Sequence, residues 1–171
     1  MDNQPDKEEF LRLIQDNRGI ILKICNSYCR NKSDREDLAG EIIYQLWKSG
    51  KSFNTDYKFS TWMYRVALNA AISFYRKEKR TAPSVAFTEE HFDYHTPEND
   101  ANDTTEENIN LLQQFINELK ELDRALILLY LEAKSYNEIA EILGISETNV
   151  ATKISRIKDK LKQNFSKINK P

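Results

Sequence analysis

Glycine and proline are scarce, four of each in 171 residues, which leaves little of the turn chemistry that a many-stranded β-protein needs. Runs of β-branched residues are few, while Glu, Lys, Leu, Ile and Asn abound, so the composition predicts an all-α protein. No apolar run approaches the roughly 20 residues that cross a bilayer, and the opening stretch MDNQPDKEEF lacks the apolar centre of a signal peptide. A cytoplasmic location is expected. Cysteine is limited to Cys25 and Cys29, four apart on one expected helix and poorly placed to bridge each other. His91 and His95 have the same spacing, so a zinc site made of all four is conceivable. Both histidines sit in an acidic, irregular stretch, however, and the favoured reading is two half-buried thiols, two linker histidines, no metal and no cofactor.

The length fits two compact units of about 60 to 80 residues each better than one large core. A net charge of −2 argues by itself against a nucleic-acid binder. The distribution argues for one. Residues 1–80 carry 15 Lys or Arg against 11 Asp or Glu, and residues 144–171 carry seven against two. Between them, residues 81–107 carry eight acids and no Lys or Arg. Charge is sorted into segments, and the whole-chain value hides it. The acidic stretch, with Pro83 and Pro97 and no sustained period, is expected to be a flexible linker. The predicted division is therefore 1–81, a linker at 82–106, and 107–171.

In the first unit one helix is expected from about Lys7 to Cys29, with Phe10, Ile14, Ile21, Ile24 and Cys25 on its apolar face. A second is expected to be capped by Ser33, with Glu36 completing a capping box, and to run to the SGKS stretch. The second unit is expected to begin near Thr105. It continues through LILLYLE to two short helices either side of Gly144.

Those last helices carry the sharper signal. In SYNEIAEILGISETNVATKISRIKDKLK, Ser135 with Glu138 has capping-box spacing, Gly144 suits a tight turn, and Ser146 caps the next helix. Val150, Ile154, Ile157 and Leu161 then form one stripe, which leaves Thr148, Asn149, Thr152, Lys153 and Arg156 outward. Small hydrogen-bonding groups followed by cations suit base edges and phosphates in a major groove, so the pair is expected to be a DNA-reading helix-turn-helix.

The stretch STWMYRVALNAAISFYRKEKR has two faces. Met63, Val66, Ala67, Ala70 and Phe74 can pack inward, while Arg65, Asn69, Ile72, Arg76, Lys79 and Arg80 form a second row that Trp62 heads. Cations beside an amide and an aromatic suit unstacked bases better than duplex, because a melted strand offers both its π-faces and its pairing edges.

With these motifs in order, the chain resembles the extracytoplasmic-function (ECF) group of bacterial RNA polymerase sigma factors. DREDLAGEIIYQLWK is similar to the family's core-binding helix and FSTWMYRVALNAAISFYRKEKR to its minus-ten-reading helix. LILLYLEAKSYNEIAEILGISETNVATKISRIKDKL is similar to its minus-thirty-five-reading domain. The resemblance implies that Asp37, Glu41 and Gln45 face core RNA polymerase, and that Trp62, Arg65, Asn69, Arg76 and Arg80 hold the melted minus-ten strand. The loop from Lys51 to Ser60 would capture a flipped base with Asn69. Thr148, Asn149, Thr152, Lys153 and Arg156 would read the upstream promoter duplex, and the acidic linker would lie in the polymerase's RNA exit region. An anti-sigma factor is an implied partner; catalytic residues are not implied, so the chain is not expected to be an enzyme. Three departures stand out: Gly40 in mid-helix, Ala151 where a cation is common, and Glu147 opening the recognition helix. The rival readings are a stand-alone helix-turn-helix regulator and a zinc- or thiol-dependent enzyme built on Cys25, Cys29, His91 and His95. The flexible tether also leads us to expect that, free in solution, the two units pack together or are held by an anti-sigma partner, hiding both DNA surfaces.

Overall fold

A computed structural model describes residues 5–81 and 103–168. Most of the acidic stretch, with His91 and His95, lies outside the described residues. Among those described there are eight α-helices, a single 3-10 turn and no strand.

The N-terminal unit contains α1 (Lys7–Asp16), α2 (Arg18–Tyr28), α3 (Lys32–Ser49) and α4 (Phe59–Thr81), with the 3-10 turn at Gly50–Ser52 closing α3. The single helix expected from Lys7 to Cys29 is broken at Asn17. There the side-chain amide donates to the Leu13 carbonyl at 2.9 Å, and the backbone leaves helical geometry at φ −105°, ψ 15°. A side chain that competes for carbonyls of its own last turn ends that turn. The apolar rows stay in phase across the break, so period alone does not reveal it. The cap of α3 also differs from expectation. Asn31, not Ser33, accepts from the Asp34 N–H, at 2.7 Å, and Ser33 lies inside the first turn.

Ile24, Leu38, Ile42, Leu46, Met63 and Leu68 fill the centre of this unit. At one end an aromatic knot forms. The Phe10 ring lies 5.9 Å from both Phe59 and Trp62, and Phe53 lies 5.2 Å from each of the same two. Phe53 and Phe59 are buried and pin the ends of the loop between α3 and α4, while Asn54 to Lys58 stay exposed.

The C-terminal unit contains α5 (Asp103–Asn117), α6 (Glu121–Leu131), α7 (Tyr136–Leu143) and α8 (Glu147–Ile168). Ala133, between α6 and α7, takes a left-handed φ of 58°. Its N–H donates to Tyr130, and the next N–H reaches back to Leu129 at 3.1 Å, the pairing that closes a helix end. The Ser135–Glu138 capping box is present in both directions. Gly144 adopts φ 67°, as the tight turn requires. Ser146 Oγ accepts from the Asn149 N–H at 3.1 Å and so opens α8. Val150, Ile154, Ile157 and Leu161 are all buried. The last helix is not short: it runs for 22 residues, and Phe165 meets the ring of Phe115 on α5 at 5.1 Å. That late contact keeps the far turns of α8 attached.

The two units touch. Helix α4 packs on α6 and α7 as well as on α2 and α3.

Candidate nucleic-acid interface

Helix α4 has three faces rather than two. Met63, Ala67 and Ala70 are buried, as the first row requires, with Val66 and Phe74 half-buried at its edge. A further row, Tyr64, Leu68, Ala71 and Tyr75, is also turned inward, the first three almost fully buried. Tyr75 meets Tyr28 of α2 and the guanidinium of Arg124 from α6, while Lys134 stands 5.5 Å above the Tyr64 ring. Sequence period alone does not separate these rows, because both are apolar or aromatic and adjacent on the wheel.

The remaining face is open. Arg65, Asn69, Arg76, Lys79 and Arg80 are exposed and Ile72 is half-buried. Trp62 stands apart from this open row: it is half-buried in the aromatic knot, 5.4 Å from Phe59. The most exposed aromatic of the N-terminal unit is Tyr57, in the loop before α4, which is 64% exposed.

Asp37 and Glu41 are exposed on α3 and Gln45 is half-buried, its amide donating to Glu41 Oε1 at 2.8 Å. They line one wall of a groove of about 780 Å³ whose other wall includes Val66, Asn69 and Ala70 of α4. Asn69 thus sits beside the three α3 residues, although it is separated from them by more than twenty positions in sequence. Gly40 is exposed on the same helix, and a Cβ there would meet nothing within 4 Å.

On α8, Thr148, Asn149, Thr152 and Arg156 are exposed together, Lys153 is half-exposed, and Glu147 is exposed in the first turn. The Thr152 hydroxyl donates to the Thr148 carbonyl at 3.0 Å. The proton of that hydroxyl is thereby engaged, while its oxygen can still accept.

Several groups at the seam between the units escaped sequence reasoning. Arg124 is 3% exposed, donates to the Ser27 carbonyl at 3.0 Å, and lies 5.3 and 4.9 Å from the Tyr28 and Tyr75 ring centres. Arg76 Nε donates to Glu121 Oε1 at 2.8 Å. That hydrogen bond holds the Glu121 carboxyl below its ordinary value, so it is ionised at neutral pH. Burial pushes the Tyr28 hydroxyl well above the usual range, and it donates to the Glu121 carbonyl at 2.7 Å.

Cys25 and Cys29 are free and buried. Burial pushes the first thiol up to about 11 and the second to about 12, so neither is a thiolate near neutral pH. Among the described residues no three His, Cys, Asp or Glu side chains gather as metal ligands. No helix among them is long and apolar enough to cross a membrane.

An all-helical protein with an open cationic row on one helix of one unit and a capped helix-turn-helix in the other has the build of a DNA-binding transcription factor. Residues 13–81 match Sigma-70 region 2 and residues 109–161 match Sigma-70 region 4. The chain is 30% identical over 169 residues to the ECF RNA polymerase sigma factor SigW of Bacillus subtilis, an alignment covering 92% of this chain and 89% of that protein. To the ECF RNA polymerase sigma-E factor of Haemophilus influenzae it is 28% identical, over 91% of this chain and 87% of the relative. Its fold is similar to that of CnrH, solved in complex with the cytosolic domain of CnrY (TM-score 0.66, 18% identity, 94% of this chain and 90% of that one). It is similar also to the sigma factor RpoE solved with the anti-sigma factor NepR from Bartonella quintana (TM-score 0.65, 20% identity, 96% and 98%). The chain belongs to the ECF RNA polymerase sigma factors, which direct the initiation of transcription.

Proposed function

We propose that this sigma factor divides its work along the chain. Residues 1–81 bind core RNA polymerase and the minus-ten element, 82–106 tether the units, and 107–171 read the minus-thirty-five element. Asp37, Glu41 and Gln45 meet the polymerase. Arg65, Asn69, Arg76 and Arg80 follow the melted strand, with Trp62 setting the start of α4 and the loop before it taking an extruded base. Thr148, Asn149, Thr152, Lys153 and Arg156 read the upstream duplex. The observation that carries the reading is the open row on α4, because exposed cations with an amide among them suit a strand whose phosphates and pairing edges are both accessible. Phosphoryl chemistry belongs to the polymerase, so the chain works in the cytoplasm as a specificity factor and not as an enzyme. An anti-sigma factor, as found on the RpoE of similar fold, is its regulatory partner.

The test is reconstitution. Mixed with bacterial core polymerase and a fragmented genomic library of its source, the chain should give run-off transcripts whose starts share two spaced elements. Asn69→Ala should lower open-complex formation while leaving upstream duplex binding intact, and Asn149→Ala should do the reverse. Duplex binding without polymerase and without transcripts would favour a stand-alone regulator instead.

A further inference from the structure

The seam between the units is built from α6 outward. Its arginine, Arg124, reaches the Ser27 carbonyl of α2 and lies against the paired rings of Tyr28 and Tyr75. Its Nε finds no acceptor although the side chain is buried. Its first residue, Glu121, takes the Arg76 guanidinium at 2.8 Å, and just beyond its last turn Glu132 takes Lys23 at 2.6 Å. The two halves of this seam differ in kind. The Arg124 contact is interior, and an arginine buried with one donor unanswered is a costly group that hydration relieves. The Arg76 contact is at the rim, with 57% of the Arg76 side chain still in solvent, so another anion can reach it.

The seam is also one-sided. It covers Tyr64 and Tyr75 of α4 and engages one cation of the open row, yet Thr148, Asn149, Thr152 and Arg156 on α8 remain exposed. Packing of the units therefore does not hide both DNA surfaces, as the sequence had led us to expect. It encumbers only the downstream one.

We propose that Glu121 acts as an internal substitute for a DNA phosphate on Arg76, so that the closed seam and the downstream strand compete for the same guanidinium while the upstream-reading helix stays available. The proposal rests on the reading of α4 as the strand-binding helix. A carboxylate and a phosphate oxygen use the same donor geometry on an arginine, so they cannot both hold Nε. Strand binding then opens the seam, and the buried, incompletely satisfied Arg124 keeps the cost of opening small enough for a single strand to meet.

The test uses the full chain, a short fluorescein-labelled A/T single strand, and small-angle scattering. Glu121→Gln keeps shape and removes the charge. It should raise strand affinity by about two- to fivefold, the range that one rim ion pair carries, and enlarge the radius of gyration. Arg76→Glu should enlarge the radius and abolish the gain, and the swap Arg76→Glu with Glu121→Arg should restore the small radius without restoring strand affinity. Helix content by circular dichroism checks that each variant is folded. Unchanged radius and unchanged strand affinity in Glu121→Gln would overturn the latch, even with strand binding by the wild type intact. Absence of strand binding in the wild type and in Glu121→Gln alike would overturn the competition and the strand-binding reading together, whereas the radius in the swapped variant still reports the ion pair by itself.

Discussion

Two glycines ten residues apart, one within α3 and one capping it, should respond to alanine with opposite signs. Gly50 takes φ −56° and ψ −33°, which any residue tolerates, so only space decides its substitution. A Cβ built there would stand 2.8 Å from Phe10 Cζ and 3.1 and 3.3 Å from the two Cε atoms. The ring cannot swing aside cheaply, because it lies 6.2 Å from Trp47 and 5.9 Å from both Phe59 and Trp62. Overpacking of this kind costs about 1–3 kcal/mol, against a gain of at most about 1 kcal/mol from removing a glycine. Gly50→Ala should therefore destabilise by about 1–2 kcal/mol. Gly40 is in mid-helix with nothing within 4 Å of its Cβ position, so Gly40→Ala keeps the whole gain of about 1 kcal/mol. Urea unfolding followed by tryptophan fluorescence is the natural assay, since the chain has only two tryptophans, Trp47 and Trp62, and both lie against Phe10. The midpoint should fall for Gly50→Ala and rise for Gly40→Ala. Placing Gly50→Ala in a Phe10→Leu background should remove most of its penalty, as coupling between touching groups requires. A Gly50→Ala protein as stable as the wild type would refute the packing argument.

Other consequences can be checked separately. Ala133→Gly relieves about 1–2 kcal/mol of left-handed backbone strain against about 1 kcal/mol at most of added chain entropy, so thermal melting of the C-terminal unit should rise slightly. With its hydroxyl proton held by the Thr148 carbonyl, Thr152 cannot donate to a base edge, so we expect it to read DNA through its methyl; Thr152→Val should keep the upstream preference and Thr152→Ser should lose it, in a competition assay against base-substituted duplexes. Tyr57→Ala should weaken binding of the melted strand by about 1–3 kcal/mol if its exposed ring stacks on a base, while Trp62→Ala should chiefly lower the urea midpoint. Cys25 and Cys29, with thiols pushed up to about 11 and about 12, should resist alkylation at neutral pH in the native protein and react at once in denaturant. Rapid labelling of the folded chain would show that the aromatic and aliphatic packing around them opens readily.

Much of this was legible in the residues themselves. Helical content, the capped turn at Ser135 and Glu138, the left-handed Gly144 and the buried stripe from Val150 to Leu161 all follow from local chemistry, where each decisive partner lies within four positions along the chain. So does the open row on α4, since a helix turns at a fixed 100° per residue and sorts its own faces. The break at Asn17 and the cap at Asn31 are local too, but the apolar period runs unbroken through the first, and at the second Ser33 is as acceptable a cap by type as Asn31.

What tertiary structure alone decided is which apolar row of α4 meets which neighbour. Tyr64 and Tyr75 look like spare aromatics of the N-terminal core, and Arg124 looks like one more surface cation, until α6 brings Arg124 against the paired rings of Tyr28 and Tyr75 from far along the chain. Periodicity reports the direction in which a side chain points and is silent about what stands there. For the caps, the turn and the buried stripe of α8, direction is enough. For the seam, where a buried arginine and a glutamate on Arg76 link two units, the answer depends on long-range contacts that no spacing in the sequence encodes.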